Sequence, residues 1–322
     1  MSKIIPNISN LIKKKLHELH LKPEVSPLAF LDKVKDKKHR YFSPCTTILG
    51  HEIAFYARLH DNNDAKMKFI NEISILSEIR HGNLPIKKVV PQIYNYGIEK
   101  NFEWFIREYP KATPLGHSRQ LQKTVSKKII PSLVKNIIEI SKIPASSLDI
   151  RIKKFDPKNY LIKDHCLGLV SKKLIDTTLC QDIIRLTEKS FHLIRSENSS
   201  VSHGDLNLGN ILTDRQKIWI IDWELCHLNN FVYDIGYLWA HLWQAPRPFR
   251  QLMMKRYIHA LSPIKRTRFK KILPIVVAYL CMGGIPFRKT KNEKLTVLQK
   301  RRRYYVQLLR NCLQSFHTLI NT

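Results

Sequence analysis

The chain has 322 residues, 43% hydrophobic and 25% charged, with a formal net charge of +29. That composition can bury a large core and excludes the hydrophobe-poor class of disordered chains. Six cysteines (Cys45, Cys166, Cys180, Cys226, Cys281, Cys312) show no CxxC spacing, and the N-terminus does not read as a signal peptide. This points away from a zinc site or a disulfide framework and toward a reducing, cytoplasmic setting.

In chain order, Ile8, Leu11, Ile12, Leu16 and Leu19 recur at helical spacing with Lys13 to Lys15 opposite, which predicts an amphipathic helix within an N-terminal extension, 1–26. Strand-like runs at 27–34, 41–49 and 52–60, the last two joined at Gly50, read as an antiparallel meander. Asn62-Asn63-Asp64 is a helix-start signal. Phe69, Ile73, Leu76 and Ile79 then form one stripe of a helix that stops near His81-Gly82. Two more strands are expected at 92–99 and 102–109. Pro110, Pro114 and Gly116 break regular structure, and from Gln120 onward the pattern is helical. The apolar run 272–287 falls short of the ~18 residues a bilayer span needs and reads as a buried helix. Strands in the first third and helices thereafter give an α+β chain, with a small lobe over 27–109 and a larger helical lobe over 110–322.

The charge is uneven: from Pro246 onward eighteen Lys or Arg stand against one acid, Glu293. Such a surface suits nucleic acid, an anionic membrane or a polyanionic substrate, and equally suits ordinary solvated helix faces; charge alone leaves both open. No obligate protein partner is indicated.

The chemistry concentrates in SHGDLNLGNILTDRQKIWIIDWE, Ser202 to Glu224. Gly204 and Gly209 interrupt any helix, so Asp205 and Asn210 belong to a loop. Ile211-Leu212 then opens a strand with 217–221 as its hairpin partner, ending at Asp222. Two acids and an amide suit a hard divalent cation such as Mg²⁺, and an acid left off the metal can take a proton. Phosphoryl transfer needs that division: positioning, charge neutralisation, and an acceptor for the incoming hydroxyl's proton.

The run H-G-D-x4-N followed by I-I-D-W-E resembles the catalytic core of the aminoglycoside phosphotransferase and choline kinase group, which has the bilobal protein-kinase-like fold. The resemblance implies an ATP- and Mg²⁺-dependent kinase acting on a hydroxyl of a small acceptor. By it, Asp205 is the catalytic base, Asn210 and Asp222 hold Mg²⁺, His203 braces the loop, and Asp234 and Glu224 support it. Arg58 on the third strand is expected to hold the nucleotide phosphates and Glu72 to orient it. Glu108 and Tyr109 are expected to offer main-chain groups to the base. The glycine-rich phosphate loop is missing: 33–40 reads KVKDKKHR, where Lys37, Lys38 or His39 are substitutes if the turn has a role at all.

The acceptor is less legible. Glu224, Asn229 and Asp234 fit the choline and ethanolamine kinase ladder, yet Tyr237 and His241 stand where that group carries Asn and Glu. Tyr237, Trp239 and Trp243 read either as an aromatic box for a quaternary amine or as core. A polycationic aminoglycoside would meet a basic surface, so a neutral or anionic hydroxylated acceptor is favoured, with an antibiotic phosphotransferase as an alternative. No A-P-E sequence follows Asp222 at activation-loop distance, which disfavours a protein kinase. A non-catalytic module binding polyanions is the remaining reading.

Overall fold

The computed structural model describes residues 4–27, 40–59, 63–82, 84–100, 102–117, 120–122, 125–144, 157–197, 199–286 and 294–321. The expected strand at 27–34, beyond its first residue, lies outside these, as do Lys37, Lys38, His39 and Glu293. By internal packing the chain divides into two units, Met1–Ala112 with Trp219–Leu225, and Thr113–Ile218 with Cys226–Thr322.

The first unit contains α1 (Ile4–Glu18), β1 (Lys22–Pro23), β2 (Arg40–Thr46), β3 (Glu52–Leu59), α2 (Asn63–His81), β4 (Ile93–Ile98) and β5 (Phe102–Glu108). Its five strands pair antiparallel in the order β1-β2-β3-β5-β4. Side chains alternate across a strand, so the sheet sorts its residues into two faces. On one face Tyr41, Phe55, Ala57, Trp104 and Ile106 bury against Ile12 and Leu16 of α1. The N-terminal helix is therefore part of this unit's core. Lys15 sits 5.6 Å from the Trp104 ring centroid and 2.8 Å from Glu99, which also accepts the Trp104 indole N–H at 3.0 Å. Gly97 is paired with Trp104 across the strands, where a Cβ would come within 2.7 Å of the indole nitrogen; only glycine fits.

The opposite face carries Arg58, Tyr56, Phe105 and Arg107. Phe105 packs on Phe69 and Ile73 of α2, with Tyr56 beside them. All four residues of the expected α2 stripe are buried: Phe69, Ile73, Leu76 and Ile79.

The second unit begins with β6 (Thr113–Pro114) and a small hairpin, β7 (Gly116–His117) with β8 (Gln120–Leu121). Helix was expected from Gln120, but α3 runs only over Ile130–Ile140. Pro131 in its first turn lacks an N–H and its ring clashes with a preceding helical carbonyl, so the helix cannot extend upstream. Next come α4 (Lys163–Ser171) and α5 (Thr177–Ser196), whose N-cap Asp176 accepts the Leu179 N–H at 2.7 Å. Then follow β9 (Ser200–Ser202), β10 (Ile211–Thr213) and β12 (His227–Asn229), while β11 (Ile218–Ile220) has Trp219 and Ile220 in the first unit. The unit ends with α6 (Tyr233–His241), α7 (Arg247–Ala260), α8 (Pro263–Gly284), α9 (Leu295–Asn311) and α10 (Phe316–Ile320). The expected apolar run becomes the buried half of α8, which admits Pro274 within it. Close approach sets its neighbours: a Cβ at Gly236 of α6 would lie 3.0 Å from Val276, and one at Gly284 would lie 2.8 Å from the Tyr305 ring of α9. Among the described residues no helix is long and apolar enough to cross a membrane.

Because Leu16 is buried against the sheet, Leu16→Ala is expected to cost about 2–4 kcal/mol through lost transfer energy and the cavity left behind. Urea unfolding followed by tryptophan fluorescence checks it; an unchanged midpoint would show α1 to be dispensable.

Candidate active site

In the second unit the strand pair β9·β12 delivers His203-Gly204-Asp205 to the start of α6. The backbone there is held by one carboxylate. Asp234 accepts the His203 N–H at 2.8 Å on Oδ2, and the Ser202 hydroxyl at 2.8 Å and the Gly204 N–H at 3.2 Å on Oδ1. All four residues are buried. Gly204 has φ +84°, a left-handed value that glycine adopts without a Cβ penalty. It reverses the chain so that Asp205 follows, its N–H donating to His203 Nδ1 at 3.3 Å, which makes Nδ1 the unprotonated ring nitrogen.

Asn210 is drawn back onto this loop. Its side-chain NH₂ donates to the Asp205 carbonyl at 2.9 Å and to the carboxylate Oδ2 at 3.3 Å. The other carboxylate oxygen, Oδ1, accepts the Tyr237 hydroxyl at 2.5 Å. Tyr237 stacks on His241 with centroids 4.2 Å apart, and His241 Nδ1 is 2.8 Å from the Tyr237 carbonyl. The Asp205 side chain is thus oriented from both ends. The sequence pattern reads Tyr237 as a substrate-box or core residue; the signal for this contact is its place three residues after Asp234, on the same face of α6. Trp239 is core, and Trp243 is half-buried, tilted against Tyr304 at 6.4 Å. Asn229 is buried and accepts the Tyr160 hydroxyl at 3.1 Å and the Asn230 N–H at 2.8 Å, so this rung of the expected ladder carries the turn into α6.

In the first unit, Asp222 opens a short turn, Asp222-Trp223-Glu224. Asp222 has φ +68°, strained for most residues and tolerated best by Asp, Asn and Gly. Each following residue is tethered. Glu72 of α2 accepts the Trp223 N–H at 3.3 Å, and Asn71 donates to the Glu224 carbonyl at 3.0 Å. The Glu224 carboxylate takes Arg58 at 2.5 Å and Arg40 at 3.1 Å.

Arg58 is also bonded to Glu103, its cross-strand neighbour, at 2.7 Å. The partnership expected for Arg58 is therefore different: the carboxylates that hold it here are Glu103 and Glu224, while Glu72 holds the Trp223 amide. The reason is register. β3 and β5 set Arg58 directly opposite Glu103, nearer than any residue on α2 needs to be. Burial and the charge of Asp222 raise the Glu72 carboxyl from its ordinary 4.5 to about 7, against the pull of Arg107. Glu108 donates its N–H to the Gln92 carbonyl at 2.7 Å, so that amide is committed to the chain, and Tyr109 lies against Phe42 at 6.5 Å.

The sequence matches the phosphotransferase enzyme family over residues 49–269, more than half of the chain. The chain belongs to that family. It is a phosphotransferase of the class that uses an alcohol group as acceptor. No curated protein matches the sequence. Solved structures share the protein-kinase-like fold. The GDP complex of an aminoglycoside 2'-phosphotransferase-IIIa superposes with a TM-score of 0.60 at 14% identity, covering 97% of each chain. A choline kinase from Cryptosporidium parvum gives 0.57 at 14% identity over 98% of this chain and 100% of that one. A microcompartment-associated aminopropanol kinase gives 0.57 at 11% identity over 94% and 96%.

Two outcomes follow. Tyr237→Phe is expected to lower kcat about 10-fold with little change in the nucleotide KM, since it loosens the Asp205 carboxylate without touching nucleotide; steady-state kinetics measures the split. For Glu72 the folded pKa lies above the unfolded one, so its protonation favours the fold at low pH and that stability is lost as pH rises from about 4.5 through 7. Glu72→Gln should therefore gain on the wild type between pH 5 and pH 8 by an order of 1–3 kcal/mol, read from denaturant midpoints at the two pH values.

Proposed function

We propose that the chain transfers the γ-phosphoryl group of ATP to a hydroxyl of a small, neutral or anionic acceptor, with Mg²⁺ as the metal. The observation that carries this is the Asp205 carboxylate, fixed at one oxygen by Tyr237 and at the other by Asn210, on a loop whose amides are pinned by Asp234. A carboxylate so oriented suits the removal of a proton from an incoming alcohol. His203 and Asp234 act on the backbone, holding the loop so that Asp205 needs no rearrangement.

The donor set fits the metal. With its NH₂ committed to Asp205, what Asn210 offers a cation is an oxygen, and Asp222 offers carboxylate oxygens; both are the hard ligands Mg²⁺ takes alongside water and phosphate. When bound, the ion neutralises charge on the phosphate oxygens being transferred. The nucleobase end is assigned to main-chain groups from the Glu108 carbonyl and Tyr109 onward, because the Glu108 amide is already used.

For the acceptor, Tyr237 and His241 put a phenol and an imidazole where the choline kinase pattern carries an amide and a carboxylate. A cationic headgroup would lose its counter-charge there. The eighteen basic residues after Pro246 weigh the same way against a polycationic antibiotic.

The test is Asp205→Asn, which keeps shape and acceptance from Tyr237 but removes the base. Turnover of Mg-ATP, with sugars, nucleosides and polyol phosphates screened as acceptors, is expected to fall about 10²- to 10⁴-fold while ATP affinity is kept. Wild-type turnover in the folded variant would end this reading.

A further inference from the structure

Arg107 lies on β5, on the same sheet face as Arg58 and Glu103 and four residues beyond Glu103, roughly 13 Å along the strand. It is 9% exposed. Among the described residues its Nε has no hydrogen-bond partner, and no carboxylate takes its guanidinium as an ion pair. The Phe105 ring centroid lies 5.9 Å from its guanidinium carbon. Burial weakens its hold on its proton, while Glu72, Asp222 and Glu108 attract the cation from a distance.

Arg58 is in the opposite condition. Its donors reach Glu103 at 2.7 Å and Glu224 at 2.5 Å, and Glu224 is shared with Arg40. Its charge is thus already balanced by two carboxylates, which lowers what a phosphate oxygen gains from it.

A buried guanidinium with donors to spare calls for acceptor oxygens supplied from outside. A bare anion would be repelled by Asp222 and Glu72. An anion that brings its own cation meets both conditions, since the metal satisfies Asp222 and an oxygen satisfies the arginine. A metal-bound polyphosphate has that chemistry. We propose that Arg107 on β5, rather than Arg58 on β3, is the side chain that holds a phosphate oxygen of the bound nucleotide. Arg58 then holds the Asp222-Trp223-Glu224 turn in place through Glu224. The inference rests on the nucleotide-dependent reading above.

Calorimetric titration of the full chain with Mg-ATP and, separately, with adenosine tests it, because only a phosphate contact distinguishes the two ligands. Arg107→Met is expected to weaken Mg-ATP about 10- to 100-fold and leave adenosine unchanged, with Arg107→Lys recovering part of the loss. Arg58→Met is expected to lower the melting temperature and leave the ratio of the two affinities as in the wild type. If Arg107→Met fails to fold because Glu72 is stranded, the double variant Arg107→Met with Glu72→Gln removes that carboxylate and gives the same ratio. A wild-type ratio in Arg107→Met, equal losses for both ligands, or a ratio that collapses only in Arg58→Met would each overturn the assignment. A wild-type chain that binds neither ligand overturns the nucleotide reading itself, a distinct result.

Discussion

A charge taken out of water must find its opposite or be neutralised, and the first unit is organised around that constraint. One face of its sheet carries Arg58, Glu103 and Arg107, and α2 and the 222–224 turn bring Glu72 and Glu224 to the same cluster. Breaking one buried pair typically costs about 3–5 kcal/mol, because the remaining partner is left uncompensated. Removing Glu224 takes one of the two carboxylates that Arg58 holds, and removing Arg58 takes the arginine paired with the buried Glu103. The left-handed Asp222 therefore inherits its position from a chain of ion pairs that begins in the sheet. Its strain is sustained by those pairs and by the two tethers from α2, Glu72 to the Trp223 amide and Asn71 to the Glu224 carbonyl.

The second unit reaches the same precision with one carboxylate and neutral donors. Asp234 gathers two backbone amides and a hydroxyl, which fixes the peptide planes of His203 and Gly204 before any side chain is considered. Tyr237 and Asn210 then set the rotamer of Asp205 from opposite oxygens. Each support comes from an element of different origin, a helix for Tyr237 and a loop return for Asn210, so no single fluctuation frees the carboxylate. Rigidity of this kind is what a proton acceptor requires, since a misplacement of about 1 Å can cost on the order of 100-fold in rate.

How much of this was legible in the sequence depends on the range of the interaction. The α2 stripe, the alternation that sets Arg58 apart from Phe55 and Ala57, and the loop character of Asp205 to Asn210 all follow from local periodicity and glycine placement. The helical pattern after Gln120 becomes α-helix only at Ile130, because Pro131 suits a first turn and not a helix interior. Pairings between strands were beyond reach: nothing within EIAFYARL or FEWFIRE says that Arg58 will face Glu103, because register is decided by turns and packing elsewhere. Tyr237 is readable in principle from its i, i+3 spacing to Asp234, although it stands outside the H-G-D-x4-N motif.

Two arginines on one sheet face give two candidate phosphate ligands where the family resemblance names one, Arg58. A motif fixes a position in the chain, whereas a phosphate responds to a donor that is unoccupied. When a carboxylate such as Glu103 is placed opposite the motif's cation and is itself buried, the pair neutralises and its field at a third site is largely cancelled. Arg107 differs in that Ala54 and Ile93, its strand partners, carry no acceptor side chains, which is the contrast the proposal for Arg107 rests on. Moving the cation from one strand to another would keep the electrostatics of phosphoryl transfer while changing the residue that supplies them.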